Sequence, residues 1–221
     1  MLLPGMNCSA LLWAQLNLES TVTPLLTEPT LDGQVDMLLD EMPRRFALAG
    51  LSLGGIVAMA LLRTAPDRVS RLCLLSINPY APTPAQRADW SRQRSRLVDG
   101  STARELQTEL LPLLLSPQAR AREDIVQVTL AMADEVGERV LDAQLRLQAT
   151  RIDERPGLGR IRCPVLVLAA RHDALCSVDR HQETQALIDG ADLVVLENAG
   201  HLSPLEVPQD LAQHLQRWRT A

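Results

Sequence analysis

One short stretch constrains this chain more than any other: Phe46 to Leu62, FALAGLSLGGIVAMALL. Phe46–Ala49 is an apolar run stopped by glycine, which predicts a buried strand. Ile56–Leu62 is apolar and small, and predicts the helix that follows. Between them, Gly50-Leu51-Ser52-Leu53-Gly54, with Gly55 behind, matches G-x-S-x-G, in which a serine stands on a sharp strand-to-helix turn. Such a turn forces unusual backbone angles on the serine. It also leaves no room for a β-carbon two residues to either side, hence the glycines. The helix start directs N–H groups and a positive dipole end toward an oxygen held above the serine. Ser52 is therefore a candidate nucleophile. The plainer reading is a tight turn with a capping serine, and the choice depends on partners elsewhere in the chain.

Composition narrows the classes. A chain of 221 residues suggests one domain with room for an inserted segment. It is long enough to bury about 70% of its unfolded surface. The net charge of −5 gives no general affinity for nucleic acid or an anionic membrane. All 22 basic residues are arginine, which excludes a Walker A lysine and a lysine Schiff base. Three Trp, one Tyr and one Phe are too few for base-stacking platforms or an aromatic cage. Cys8, Cys73, Cys163 and Cys176 form no C-x-x-C pair and suit reduced core thiols. The first basic residue is Arg44, so no charged signal-peptide start is present, and no apolar run reaches membrane-spanning length. A cytoplasmic location is expected.

Along the chain, Met1–Leu3 is an apolar stub leading into a Pro4-Gly5 loop. Ser9 suits the cap of a helix reaching Leu16. Thr21–Thr27 is strand-like, but Pro24 makes it an edge strand or an irregular one. Leu31–Met42 reads as an amphipathic helix and Val69–Ile77 as another strand, ended by Asn78-Pro79. The character then changes. Residues 80–156 hold no strand-like run and show helical spacing over Arg87–Val98, Ala103–Leu115 and Glu123–Leu147. Strands resume at Val165–Leu168 and Ala191–Leu196, with helices over Val178–Ile188 and Pro208–Arg219.

Apolar strands alternating with helices imply a parallel sheet covered on both faces. Ligands of such sheets bind at the carboxyl ends of the strands. Ser52, Asn78, Asp173 and His201 each follow a predicted strand and can meet there. A serine hydroxyl needs a base to take its proton, and the base needs an orienting carboxylate. His181 and His214 fall within helices among polar neighbours, where exposed positions are expected. His172 adjoins Asp173. His201, directly after the last strand in Ala199-Gly200-His201, fits the base best. Two readings of Asp173 stand, an orienting acid or a helix cap. Glu206 is an alternative acid, a brace for the histidine loop or a cap of the last helix. The order Ser52, Asp173, His201 is the serine–acid–histidine order of one known hydrolase fold.

Through Gly50–Gly55, the strand ending in Asp173, and Ala199-Gly200-His201-Leu202-Ser203-Pro204-Leu205-Glu206-Val207-Pro208, the sequence resembles the α/β-hydrolase superfamily, and within it lidded serine esterases. The resemblance implies a three-layer α/β fold without the N-terminal hairpin. Its mostly parallel sheet would have about six strands in the order 4-3-5-6-7-8 by the family's count. It also implies a core of 1–79 and 157–221 beneath a helical cap of 80–156. An oxyanion hole would come from the backbone amides of Leu53 and of Met6, after Pro4-Gly5 where the family usually has His-Gly. Asn7, Asn78 and Leu202 are pocket candidates. The expected reaction is hydrolysis of a small carboxylic ester through a Ser-His-Asp triad and an acyl-enzyme, with no metal or cofactor. Thioester hydrolysis, carbon–carbon bond cleavage and a non-catalytic ligand-binding role remain alternatives on the same fold. The expected partner is a small acyl substrate. The arginines between Arg87 and Arg122 could meet an acyl carrier protein, but nearby acids nearly match them, favouring a solvated surface.

Overall fold

The computed structural model describes residues 1–220. Five strands form one parallel sheet: β1 (Leu2–Leu3), β2 (Phe46–Leu51), β3 (Val69–Leu75), β4 (Val165–Ala170) and β5 (Asp192–Leu196), neighbours in chain order. Leu3 pairs with Gly50, Leu51 with Leu75, Leu75 with Leu168, and Ala170 with Leu196, so all carboxyl ends lie along one edge.

The strands are apolar on both sides because both sides are covered. Leu3, Leu48, Leu72, Leu74, Val165 and Val167 face one cluster, built with helices α1 (Leu31–Glu41) and α2 (Leu53–Thr64). Their alternates, among them Leu51, Cys73, Leu75, Leu166 and Leu168, face a second cluster. That cluster includes the 3₁₀ segment Ala10–Leu16 and the last helix, Pro208–Thr220.

Five of the expected strands are present in the expected order, and the edge strand is not. Thr21–Thr27 runs beside β1 as irregular chain, joined by one bond from the Leu2 amide to the Val22 carbonyl at 2.9 Å. Pro24 removes a donor where a ladder would continue.

Between β3 and β4 the chain forms helices α3 (Pro84–Val98), α4 (Ala103–Leu114), α5 (Pro117–Arg120) and α6 (Glu123–Thr150). α3 and α4 each begin with a capping box, Thr83 with Gln86 and Thr102 with Glu105. α6 is broken at Gly137, whose φ of 69° only glycine adopts at little cost. Trp90, Leu106, Val136 and Leu145 form a separate small core among these helices. The last turns of α6 serve two cores, since Leu147 packs into the cluster under α1 and α2 while Leu145 and Ala149 stay with the small one. Helices α7 (Arg155–Leu158), α8 (Val178–Ala186), α9 (Ser203–Glu206) and α10 (Pro208–Thr220) complete the fold. No helix among the described residues is long and apolar enough to cross a membrane.

Candidate active site

Ser52 stands between β2 and α2 with φ 53° and ψ −113°, outside the regions a non-glycine residue ordinarily adopts. Three glycines make this turn possible. A β-carbon on Gly50 would lie 2.3 Å from the Gly54 carbonyl oxygen, and one on Gly54 would lie 2.3 Å from that of Leu3. One on Gly55 would meet Ile77 Cγ2 at 2.3 Å. The Ser52 amide is held by the Leu75 carbonyl at 2.9 Å, which fixes the turn to the neighbouring strand.

Asp173 and His201 reach the same edge from the loops after β4 and β5. Both are buried, and His201 Nδ1 lies 3.0 and 2.9 Å from the two Asp173 oxygens. A carboxylate only accepts, so the ring proton sits on Nδ1 and leaves Nε2 as the free base atom. Asp173 Oδ1 also accepts the amides of Leu175 and Cys176, each at 2.9 Å. Asp173 is thus held against the imidazole and closes the turn after β4; it does not cap α8, whose N-cap is Ser177. Burial pushes the Asp173 carboxyl up, but His201 and these two amides outweigh it and leave it below the usual carboxylate range.

Cys176 lies close enough that its sulfur, an Asp173 oxygen and a His201 nitrogen fall within 4.8 Å of one another. Burial and the Asp173 charge push the thiol up, and both carboxylate oxygens are already engaged by His201.

Ser52 and His201 line one cavity of about 410 Å³, closed partly by the helical insertion. No hydrogen bond joins the Ser52 hydroxyl to the ring, as is common before substrate is bound. Met6, Asn78 and Leu202 also line the cavity. Leu53 is fully buried at the first position of α2, where the amide has no intrahelical partner.

Asn7 departs from expectation: it does not line the cavity. It is buried, with φ 56°, and its backbone amide and Nδ2 are committed to the insertion, while Oδ1 has no partner among the described residues. Its amide donates to Gln144 Oε1 at 2.8 Å, and Nδ2 donates to the Ala103 carbonyl and Gln107 Oε1, both at 3.0 Å. Asn7 ties the loop before the 3₁₀ segment to α4 and α6.

His181 also departs from expectation. It is fully buried rather than exposed. Its Nδ1–H donates to the Ser177 carbonyl at 2.8 Å, and Nε2 accepts the Ile77 amide at 3.0 Å. The imidazole thus pins the loop after β3 to the start of α8, close behind Asp173. Polar neighbours hid this. The signal was the spacing of His181 and Thr184, which share one buried face of α8, with Ile188 buried just beyond its end.

Three further cavity residues carried no sequence signal: Gln86, Gln148 and Arg151, all from the insertion or its exit. Trp90 lines the cavity beside them, whereas Trp13 belongs to the core.

Residues 3–214 match the alpha/beta hydrolase family. A pimeloyl-[acyl-carrier protein] methyl ester esterase of Nitrosomonas europaea is 29% identical over 190 residues, covering 81% of this chain and 73% of that protein. A thermophilic esterase from Thermogutta terrifontis has a solved structure similar over 99% of this chain and 88% of its own, with a TM-score of 0.89 at 23% identity. A hydrolase from Pseudomonas aeruginosa is similar over 100% of this chain and 90% of its own, with a TM-score of 0.81 at 26% identity. With nearly its whole length matched, a parallel sheet of the same design and a serine on the strained turn, the chain belongs to the alpha/beta hydrolase family.

Proposed function

We propose that the chain is a serine hydrolase of small carboxylic esters, acting through Ser52, His201 and Asp173. The observation that carries this is one arrangement. Ser52, on a positive-φ turn, shares a cavity with His201, whose Nδ1 is held by a buried carboxylate. Similarity to named ester hydrolases supports the same reading.

His201 Nε2 takes the proton of Ser52 as the hydroxyl oxygen attacks the acyl carbon. Asp173 holds the ring in the tautomer this needs and stabilises the imidazolium that forms. The amides of Leu53 and Met6 receive the oxyanion, each contributing about 3 kcal/mol in comparable sites. The proton then passes from His201 to the leaving alcohol, and the acyl group stays on Ser52. Water enters, gives its proton to His201, and releases the acid by the same steps in reverse. Residues 80–156 act as a cap that shapes the acyl site and limits water.

A fluorophosphonate probe on the folded protein is expected to label Ser52. Ser52→Ala is expected to lose label and to lower turnover of p-nitrophenyl acetate by about 10³-fold or more. Equal turnover by the variant would overturn the assignment.

A further inference from the structure

Among the arginines of the insertion, pairing is the rule. Arg94 sits on Asp142, Arg96 on Glu109, Arg104 on Asp134, Arg122 on Asp124, and Arg146 on Asp142, at 2.5–2.8 Å. These pairs lie at or near the surface, where an unpaired arginine would have cost little.

Arg151 breaks the rule where breaking it is most costly. It is 5% exposed and lines the cavity that holds Ser52 and His201. One terminal nitrogen donates to Gln148 Oε1 at 3.2 Å and the other to Gln86 Oε1 at 3.3 Å, both neutral acceptors. Nε has no partner. A guanidinium carries five N–H donors and these bonds use two, so three have no acceptor among the described residues. No carboxylate among the described residues is within ion-pair distance of it. Asp89, the one acid on the cavity wall, is occupied by Arg92 at 2.9 Å and Gln93 at 2.8 Å. Arg87, of like sign, opposes its charge further. Burial pulls the guanidinium down to about 10, which still leaves it charged at neutral pH. The Trp90 ring, 5.4 Å from the guanidinium carbon, gives one side some relief and also rigidifies it.

A buried cation without a counter-ion is a strongly unfavourable arrangement unless an anion arrives to complete it. The site is built for one: two glutamines hold the guanidinium from neutral sides, an indole backs it, and open donors remain at the wall of the reaction cavity. A planar fork of donors suits a carboxylate.

We infer that Arg151 binds a carboxylate at the far end of the acyl group, so that the favoured substrates are half-esters of short dicarboxylic acids. This deepens the esterase reading and rests on it for turnover, though not for binding. Ser52 would attack the esterified end while the free carboxylate lies on Arg151. Hydrolysis then leaves a dicarboxylate and an alcohol, with water as the only co-reactant.

The test compares monomethyl succinate, glutarate and adipate with the neutral methyl esters of the matching monocarboxylic acids. Wild type is expected to prefer the best half-ester by at least tenfold in kcat/KM. Arg151→Met is expected to lower kcat/KM for half-esters about 100-fold, mainly through KM, while changing the neutral esters less than threefold. Arg151→Lys, which keeps the charge but not the fork, should recover part of the loss. Equal losses on both ester classes would show a merely structural role and overturn the inference, as would a wild-type preference for neutral esters. A second arm needs no turnover: calorimetric binding of glutarate and adipate to Ser52→Ala protein, with and without Arg151→Met. Binding that depends on Arg151 supports the site even if neither ester is hydrolysed, in which case the esterase reading alone fails. Dicarboxylate binding that is absent, or indifferent to Arg151, overturns the site.

Discussion

Glu206 Oε2 accepts the Gly200 amide at 2.9 Å, so a carboxylate six residues further along braces the loop that presents His201. The same oxygen accepts the Ser116 amide at 3.2 Å, tying that loop to the insertion above it. Of the three sequence readings for Glu206, the brace is the one the geometry gives: its bonds go to Gly200 and Ser116, not to the imidazole or to the start of the last helix. Burial pushes its carboxyl up, since the two amides offset only part of the lost hydration.

Removing this brace should loosen both elements. Glu206→Ala is expected to cost about 2 kcal/mol, because two buried amides lose their acceptor. Ester turnover should fall further than unfolding explains, because the His201 loop is no longer held. Glu206→Gln keeps one acceptor oxygen and should retain most of both properties. Urea unfolding with parallel assays of p-nitrophenyl acetate checks this. Wild-type behaviour of the alanine variant would show that the loop is held by its packing alone.

Glycine substitutions should separate into three classes by local geometry. At Gly54 a β-carbon meets the backbone oxygens of Leu3 and Pro4 at 2.3 and 2.7 Å, atoms that cannot yield without opening the sheet edge. Gly54→Ala should therefore cost about 3 kcal/mol or more and abolish activity. At Gly100 space is open but φ is +100°, so alanine there should cost only about 1 kcal/mol. At Gly157, in α7, nothing lies within 4 Å, and alanine should stabilise by about 0.5 kcal/mol through the unfolded chain. Thermal melts of the three variants give the ranking, and a mild Gly54→Ala would refute the steric account of the turn.

This contrast shows why the turn could be read in the sequence. Gly54 and Gly55 answer to Leu3 and Ile77, distant in the chain, but Gly50 answers to Gly54 and Gly55, four and five residues on, and that constraint leaves a local trace. The same holds for Thr83 with Gln86 and Thr102 with Glu105, whose capping partners are three residues apart. Asp173 and His201 were legible through chain order and their position after a strand. Asn7 was not, because its partners lie 96 to 137 residues away on helices whose docking no local pattern specifies. Arg151 left no trace for a different reason. It is one arginine among 22 basic residues, and only the folded chain shows that it alone is buried against the cavity without a carboxylate.

His181 makes acid stability testable. Burial lowers its pKa, with the Ser177 contact opposing in part. The unfolded chain therefore binds a proton more readily than the native one, and stability is lost as pH falls below about 6.5. Protonation would also turn Nε2 into a donor facing the Ile77 N–H. His181→Gln should be less stable than wild type by about 2 kcal/mol at pH 7.5. That gap should narrow as pH is lowered to 5.5, because the variant has no proton to gain. Urea unfolding at the two pH values checks the sign, and a gap that widens toward acid would refute it.

Asp173→Asn tests the orienting role directly. Asparagine can still accept the Leu175 and Cys176 amides through its oxygen, so the turn should survive. Its Nδ2 donors would then face His201 Nδ1, where two donors cannot meet. The ring must shift its proton to Nε2, the atom that has to receive the Ser52 proton. Turnover should fall by about 10³- to 10⁴-fold with little change in KM, the loss a wrong tautomer causes in serine proteases. Fluorophosphonate labelling of Ser52 should slow in proportion, since it uses the same base. The depressed Asp173 pKa adds an independent check on stability. Its folded value lies below the unfolded one of about 3.9, so its contribution is present above that pH and lost as pH falls through the folded value. The variant should lack this acid-side slope. A tenfold or smaller fall in turnover with the turn intact would mean that His201 keeps its working tautomer without Asp173, and the carboxylate would then serve the loop alone.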